Sequence, residues 1–141
     1  MEQLKYKVAC IFGVIGSFII NALGGWTMDL TTLLCFMTID YLSGLLLASV
    51  FKKSKKTDTG TLSSNAGWKG LCKKGVSLML VLVAHRIDIT FGFEYVRTAT
   101  VLSFIVVELI SIIENAGMMG IPIPKVITDV IEVLRKKEGE K

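Results

Sequence analysis

The stretch Thr100 to Asn115 constrains the chain most, because it is long enough to help cross a membrane and yet carries polar residues throughout. At about 100° per residue, Thr100, Ser103, Glu108, Ser111, Glu114 and Asn115 gather on one side of a helix. Val101, Leu102, Ile105, Val106, Leu109, Ile110, Ile112 and Ile113 take the other. A helix in lipid satisfies its own backbone, but polar side chains there still need partners or water, since intramembrane charge is costly. The stripe is therefore expected to face protein or an aqueous passage. A soluble amphipathic helix would show the same periodicity, so the rest of the chain has to decide.

Composition favours the membrane. The 141 residues are 52% hydrophobic and 20% charged, and the apolar residues come in blocks rather than scattered. One domain's worth of chain leaves no room for a separate catalytic module, so residues 1–141 read as a single membrane domain. The fold class expected is all-α, built of integral membrane helical hairpins. Cys10, Cys35 and Cys72 lie far apart, match neither zinc-ligand nor disulfide spacing, and are expected to be small buried apolar side chains. With a single His85 there is no metal-binding set. No phosphate-binding glycine loop, no nucleophile with its base and no nucleic-acid-binding pattern is visible. No cofactor, metal, catalytic residue or nucleic-acid partner is expected, and the chain does not read as an enzyme.

Residues 8–26 form the first uncharged apolar run, preceded by Lys5 and Lys7. A cleaved signal peptide is the alternative, but a second span follows almost at once, as in a hairpin. Gly13, Ser17 and Asn21 recur every fourth residue, a pattern that allows close helix packing. Gly24, Gly25 and Asp29 mark a tight turn into a second span, residues 30–51, with Asp40 near its middle. A central Asp opposes insertion by roughly 2.5 to 3.5 kcal/mol, and the many Leu, Ile and Phe residues, each favouring it by about 0.3 to 0.6 kcal/mol, offset this. Asp40 thus needs a protein-facing position, with Gly44 and Ala48 beside it as a helix-contact groove. It is either a functional residue or a structural carboxylate that caps backbone or pairs with Arg86 or Arg97.

Residues 52–72 form a basic loop, opened by Lys52, Lys53, Lys55 and Lys56 and closed by Lys69, with Lys73 and Lys74 just beyond. Short Lys-rich loops stay cytoplasmic, and these seven lysines read as topology-setting, headgroup-facing charge. The third run, residues 73–89, is interrupted at its far end by His85, Arg86 and Asp88, and a re-entrant segment is the alternative to a span. His85, Arg86, Asp88 and Arg97 are candidates for polar pairing. Phe91, Phe93 and Tyr95 suit the opposite interface. The fourth span covers residues 97–116, and Gly117, Gly120, Pro122 and Pro124 end it. Residues 122–137 hold an amphipathic C-terminal helix, with Val126, Ile127, Val130, Ile131 and Leu134 on one face.

Four spans, or three if the third run is re-entrant, follow from this pass. With four, every lysine-rich segment falls on one side and both termini are cytoplasmic.

The motifs Ile39-Asp40-Tyr41-Leu42-Ser43-Gly44, Ser64-Asn65-Ala66-Gly67-Trp68-Lys69-Gly70 running into Lys73-Lys74, and Ala84-His85-Arg86-Ile87-Asp88 come in a specific order. They are followed by Arg97-Thr98-Ala99, by Glu108 with Ser111-Ile112-Ile113-Glu114-Asn115, and by Gly120-Ile121-Pro122-Ile123-Pro124-Lys125. Together, over roughly residues 31–135, they resemble the toxin-secretion and phage-lysis holin family. The resemblance implies a small membrane protein of bacterial or phage origin that forms homo-oligomers in the bacterial cytoplasmic membrane. It further implies lesions that release an endolysin or a toxin as cargo, without a specific cargo-binding site.

On that reading Asp40, Gly44, Thr100, Ser103, Glu108, Ser111, Glu114 and Asn115 are pore-lining or helix-contact residues, and the partners are other copies and membrane lipids. A narrow ion channel or small transporter subunit, and a non-pore membrane scaffold, are the alternatives.

Overall fold

The computed structural model describes residues 1–139, and all their regular structure is helical. Helix α1 covers Glu2–Ala22, α2 Met28–Leu46, α3 Ser64–Phe91, α4 Val96–Met118 and α5 Lys125–Gly139. Between α2 and the basic loop the helix widens into a π-helical turn, Leu47–Phe51, which Lys52 stops by adopting a left-handed φ of 52°. Three helices are long and apolar enough to cross a membrane: α1, α2 with its π turn (Met28–Phe51), and α4.

The expected third span lies within α3, which is not among the three. Between Lys74 and Arg86 the uncharged stretch is shorter than the roughly 20 residues a bilayer needs. Helix α3 also starts at Ser64, so the second part of the expected 52–72 loop is helical. At 28 residues it extends about 42 Å, longer than a hydrocarbon core of roughly 30 Å.

The core lies where α2, α3 and α4 meet. Leu30, Leu33 and Met37 of α2 pack with Val81 of α3 and Val101 of α4, and Leu23 closes the group from the α1–α2 turn. Spacings of three, four and seven put these residues on one face of each helix. Helix α1 buries none of its residues. Its connection to α2 needs glycine twice: Gly24 and Gly25 have φ of 95° and 88°, open to glycine at little steric cost. The Gly25 amide then donates to the Ile20 carbonyl at 2.9 Å.

At the other end of the bundle Gly120, φ 82°, ends α4, and Pro122 and Pro124 precede α5 as the residues require. Val126, Ile127 and Val130 of α5 are exposed, while Ile131 and Leu134 are half-buried. Cys10, Cys35 and Cys72, expected to be buried, are exposed instead, because each sits on a helix face that no other helix covers.

Candidate functional site

Helix α2 presents Leu30, Leu33, Met37 and Asp40 to its neighbours, its π turn presents Leu47, and α4 presents Arg97, Val101, Glu108 and Asn115. The two helices run parallel, Asp29 level with Arg97 and Asp40 with Asn115, so these faces match level by level. Between Leu30 and Met37 of α2 the seam is apolar, and towards the basic loop it becomes polar. In lipid, apolar contact alone gives no hydrophobic drive between helices; close packing and interhelical polar bonds hold them together. The polar half of the seam therefore carries much of the specificity of the bundle.

Its centre is Lys74 of α3. The ammonium Nζ donates to Asp40 Oδ2 at 2.8 Å and also to Glu108 Oε2. Asp40 and Glu108 are only 4% and 8% exposed, so both carboxylates are nearly removed from solvent. The Asn115 amide donates to Asp40 Oδ1 at 3.1 Å and to Ser43 Oγ at 2.9 Å, and approaches the Asp40 carbonyl at 3.4 Å. One ammonium thus faces two carboxylates, with a side-chain amide as an additional donor. Three helices are tied by a single cluster. Breaking such a pair on one side leaves an uncompensated charge in low dielectric.

A second cluster fixes the opposite end. The Arg97 guanidinium donates through Nε to the Leu23 carbonyl at 2.6 Å, through one terminal nitrogen to Asp29 Oδ2 at 3.1 Å, and through the other to Thr27 Oγ1 at 2.8 Å. It clamps the α1–α2 turn onto the start of α4. Gly24 makes room for this: a Cβ there would sit 2.5 Å from Arg97 Nε. Asp88, at the end of α3, accepts from the Val96 and Arg97 amides at 3.0 and 2.8 Å and so caps α4.

The expected stripe of α4 is divided by this packing. Glu108 and Asn115 are buried in the seam, with Thr100 and Ser111 half-buried beside it. Ser103 and Glu114 lie on the exposed face, since about 100° per residue carries them away from Glu108. Thr100 and Ser103 turn their hydroxyls to the Val96 and Ala99 carbonyls, at 2.7 and 2.9 Å. Gly44 stands next to the seam: a Cβ there would come 3.8 Å from both Asn115 Nδ2 and Lys56 Nζ.

Asp40 pairs with neither Arg86 nor Arg97, the partners its sequence context suggested. Arg97 is about three helical turns from Glu108 along α4 and is held at the α1–α2 turn. The expectation for Lys74 is corrected too. Lys52, Lys53, Lys55, Lys56, Lys69 and Lys73 are exposed, but Lys74 points inward as the cation of the seam. His85 is half-buried against Gly24, and Arg86 is exposed. Among the described residues, Asp88 and Arg97 bond to one another through the Arg97 backbone amide.

Sequence reasoning missed Lys74, Ser43, Asn115 as the amide partner of Asp40, and Asp29 with Thr27 as the Arg97 site. A usable signal was present for Lys74. It lies at the boundary of an apolar run, where an inward-turned cation serves as well as an outward one.

Three membrane-length apolar helices and a polar seam buried between packed helices define a small helical membrane protein. The description "Bacteriophage holin family" matches residues 17–136, and the chain belongs to that family. Among its relatives, a protein of Halalkalibacterium halodurans is 36% identical, over 99% of this chain and 100% of the relative. Another, from Listeria monocytogenes, is 37% identical over 95% of this chain and 92% of its own length. A "Probable holin" of Bacillus phage phi105 is 35% identical over 79% of this chain and 78% of its own. No solved structure matches the chain.

Proposed function

We propose that this protein is a holin: a non-enzymatic membrane protein that assembles with copies of itself in the bacterial cytoplasmic membrane and opens lesions. Endolysin, or a toxin, passes through them to cause host lysis or protein export. The observation that carries this reading is the buried Lys74–Asp40–Glu108 cluster with Asn115, a set of groups that prefer water held inside an apolar bundle. Membership of the holin family, and the phage relative named a probable holin, support it.

In the monomer the cluster is satisfied internally. When many copies pack together, α2, α3 and α4 part along the seam, and Asp40, Lys74, Glu108 and Asn115 turn to the water that fills the lesion. Ser103 and Glu114, already on the uncovered face of α4, wet its wall. Gly44 and Ala48 let helices approach. Helix α3 crosses the membrane as a fourth span only because Lys69, Lys73 and Lys74 stand at one end and Arg86 and Asp88 at the other. Both termini, the basic loop and α5 then lie on the cytoplasmic side, and the whole chain forms one membrane domain.

The test is inducible expression in a bacterium with and without a cytoplasmic endolysin, following membrane potential and culture density. Abrupt loss of potential, with clearing only when endolysin is present, is expected. A triple variant, Lys74→Met with Asp40→Leu and Glu108→Leu, should insert in the membrane and fail to lyse. Lysis on schedule by that variant would exclude the seam as the lining.

A further inference from the structure

Between α1 and α3, on the side away from the charged seam, an open groove of about 1060 Å³ runs along the bundle. Cys10, Gly13, Ser17 and Asn21 recur along its α1 wall, and Leu82 and Arg86 stand on the α3 wall. From Cys10 to Ala22 the groove follows α1 for about 18 Å, a little over half of a roughly 30 Å hydrocarbon core. It is thus about one leaflet deep. Its larger polar side chains are gathered towards one end, lined by His85 and Arg86 of α3 and Asn21 of α1.

Arg86 takes part in none of the ion pairs among the described residues. Its neighbour Asp88 uses both oxygens on the α4 backbone amides. A guanidinium at the head of an apolar groove, in a bilayer, requires an anion, and the planar fork of Arg suits phosphate oxygens.

We infer that this groove holds one anionic phospholipid, its phosphate on Arg86 with His85 and Asn21 beside it, and an acyl chain laid along Gly13 and Leu82. Arg86 supplies the charge complementarity, and the leaflet-length groove supplies the room for the chain. The groove is open at Gly13, where a Cβ would meet nothing within 4 Å. A lipid seated there would join α1, which buries none of its own residues, to the rest of the bundle. The inference rests on α1 and α3 lying in the bilayer, which membrane fractionation tests separately from lipid binding and from lysis.

Native mass spectrometry of the full chain in mild detergent, titrated with dioleoyl phosphatidylglycerol or dioleoyl phosphatidylcholine, reads the site directly. One phosphatidylglycerol per chain is expected, held about tenfold more tightly than phosphatidylcholine, as loss of one charge-assisted contact implies. Arg86→Gln should reduce phosphatidylglycerol to the phosphatidylcholine level, and Arg86→Lys should keep most of the preference. Gly13→Phe, which puts a ring into the groove from a position where a Cβ meets nothing within 4 Å, should remove both adducts while helix content by circular dichroism is unchanged. Equal binding by wild type, Arg86→Gln and Gly13→Phe would mean annular lipid only and would overturn the site. So would a wild-type dimer without lipid that Gly13→Phe dissociates, because a second copy would then occupy the groove.

Discussion

The Lys74 ammonium lies 2.8 Å from Asp40 Oδ2, joining residues 34 apart in sequence and on different helices. The same nitrogen binds Glu108, so removing it leaves two carboxylates facing one another in a site that excludes water. Lys74→Met is expected to destabilise the detergent-solubilised protein by about 3–5 kcal/mol, the usual consequence of stranding a buried charge. Combining it with Asp40→Asn and Glu108→Gln should recover most of that loss, because no unpaired charge remains. Thermal unfolding of the three proteins side by side checks this; equal stability of Lys74→Met and wild type would show that the bridge contributes nothing.

Neighbouring polar residues of α4 should behave oppositely. Asn115→Ala removes donors to Asp40 and Ser43 in a buried site, for an expected loss of about 1–3 kcal/mol. Glu114→Ala, one residue away on the exposed face, should change stability by less than about 0.5 kcal/mol. In the lysis assay the order reverses in meaning: Glu114→Ala should delay lysis without changing the amount of folded protein, measured by membrane immunoblot.

Gly24 and Gly25 offer a paired comparison. Both have positive φ, so Gly25→Ala, with open space around it, should lose about 1–2 kcal/mol from backbone strain alone. Gly24→Ala adds a collision with the Arg97 side chain, at 2.5 Å from Nε, and should lower the unfolding temperature clearly further. Equal effects of the two would show that Arg97 is not held at the Leu23 carbonyl.

Asp88 caps a helix from the preceding one. Asp88→Ala should reduce stability by about 0.5–2 kcal/mol, with Asp88→Asn intermediate because one acceptor oxygen survives. Hydrogen exchange at the Val96 and Arg97 amides should accelerate in Asp88→Ala and leave the Lys74 end of the bundle unchanged.

Much was readable along the chain because it depends on local chemistry. Apolar runs of bilayer length set the candidate membrane helices, and Gly24-Gly25 and Pro122 with Pro124 set the breaks. The need of Asp40 for a buried polar partner also followed from the cost of charge in lipid. Which partner it would find did not. Arg97 and Lys74 are both cations near apolar helix boundaries, and only the parallel level-by-level alignment of α2 with α4, and the lean of α3 against α4, sends Arg97 to Asp29 and Lys74 to Asp40 and Glu108.

The polar stripe shows the same division. Periodicity places Thr100, Ser103, Glu108, Ser111, Glu114 and Asn115 around one helix, but it does not say how wide a face its neighbours cover. Helices α2 and α3 cover Glu108 and Asn115 and leave Ser103 and Glu114 outside. Helical character and membrane length come from residues within a few turns of one another, whereas a charge cluster shared by three helices comes from distances that no local spacing encodes.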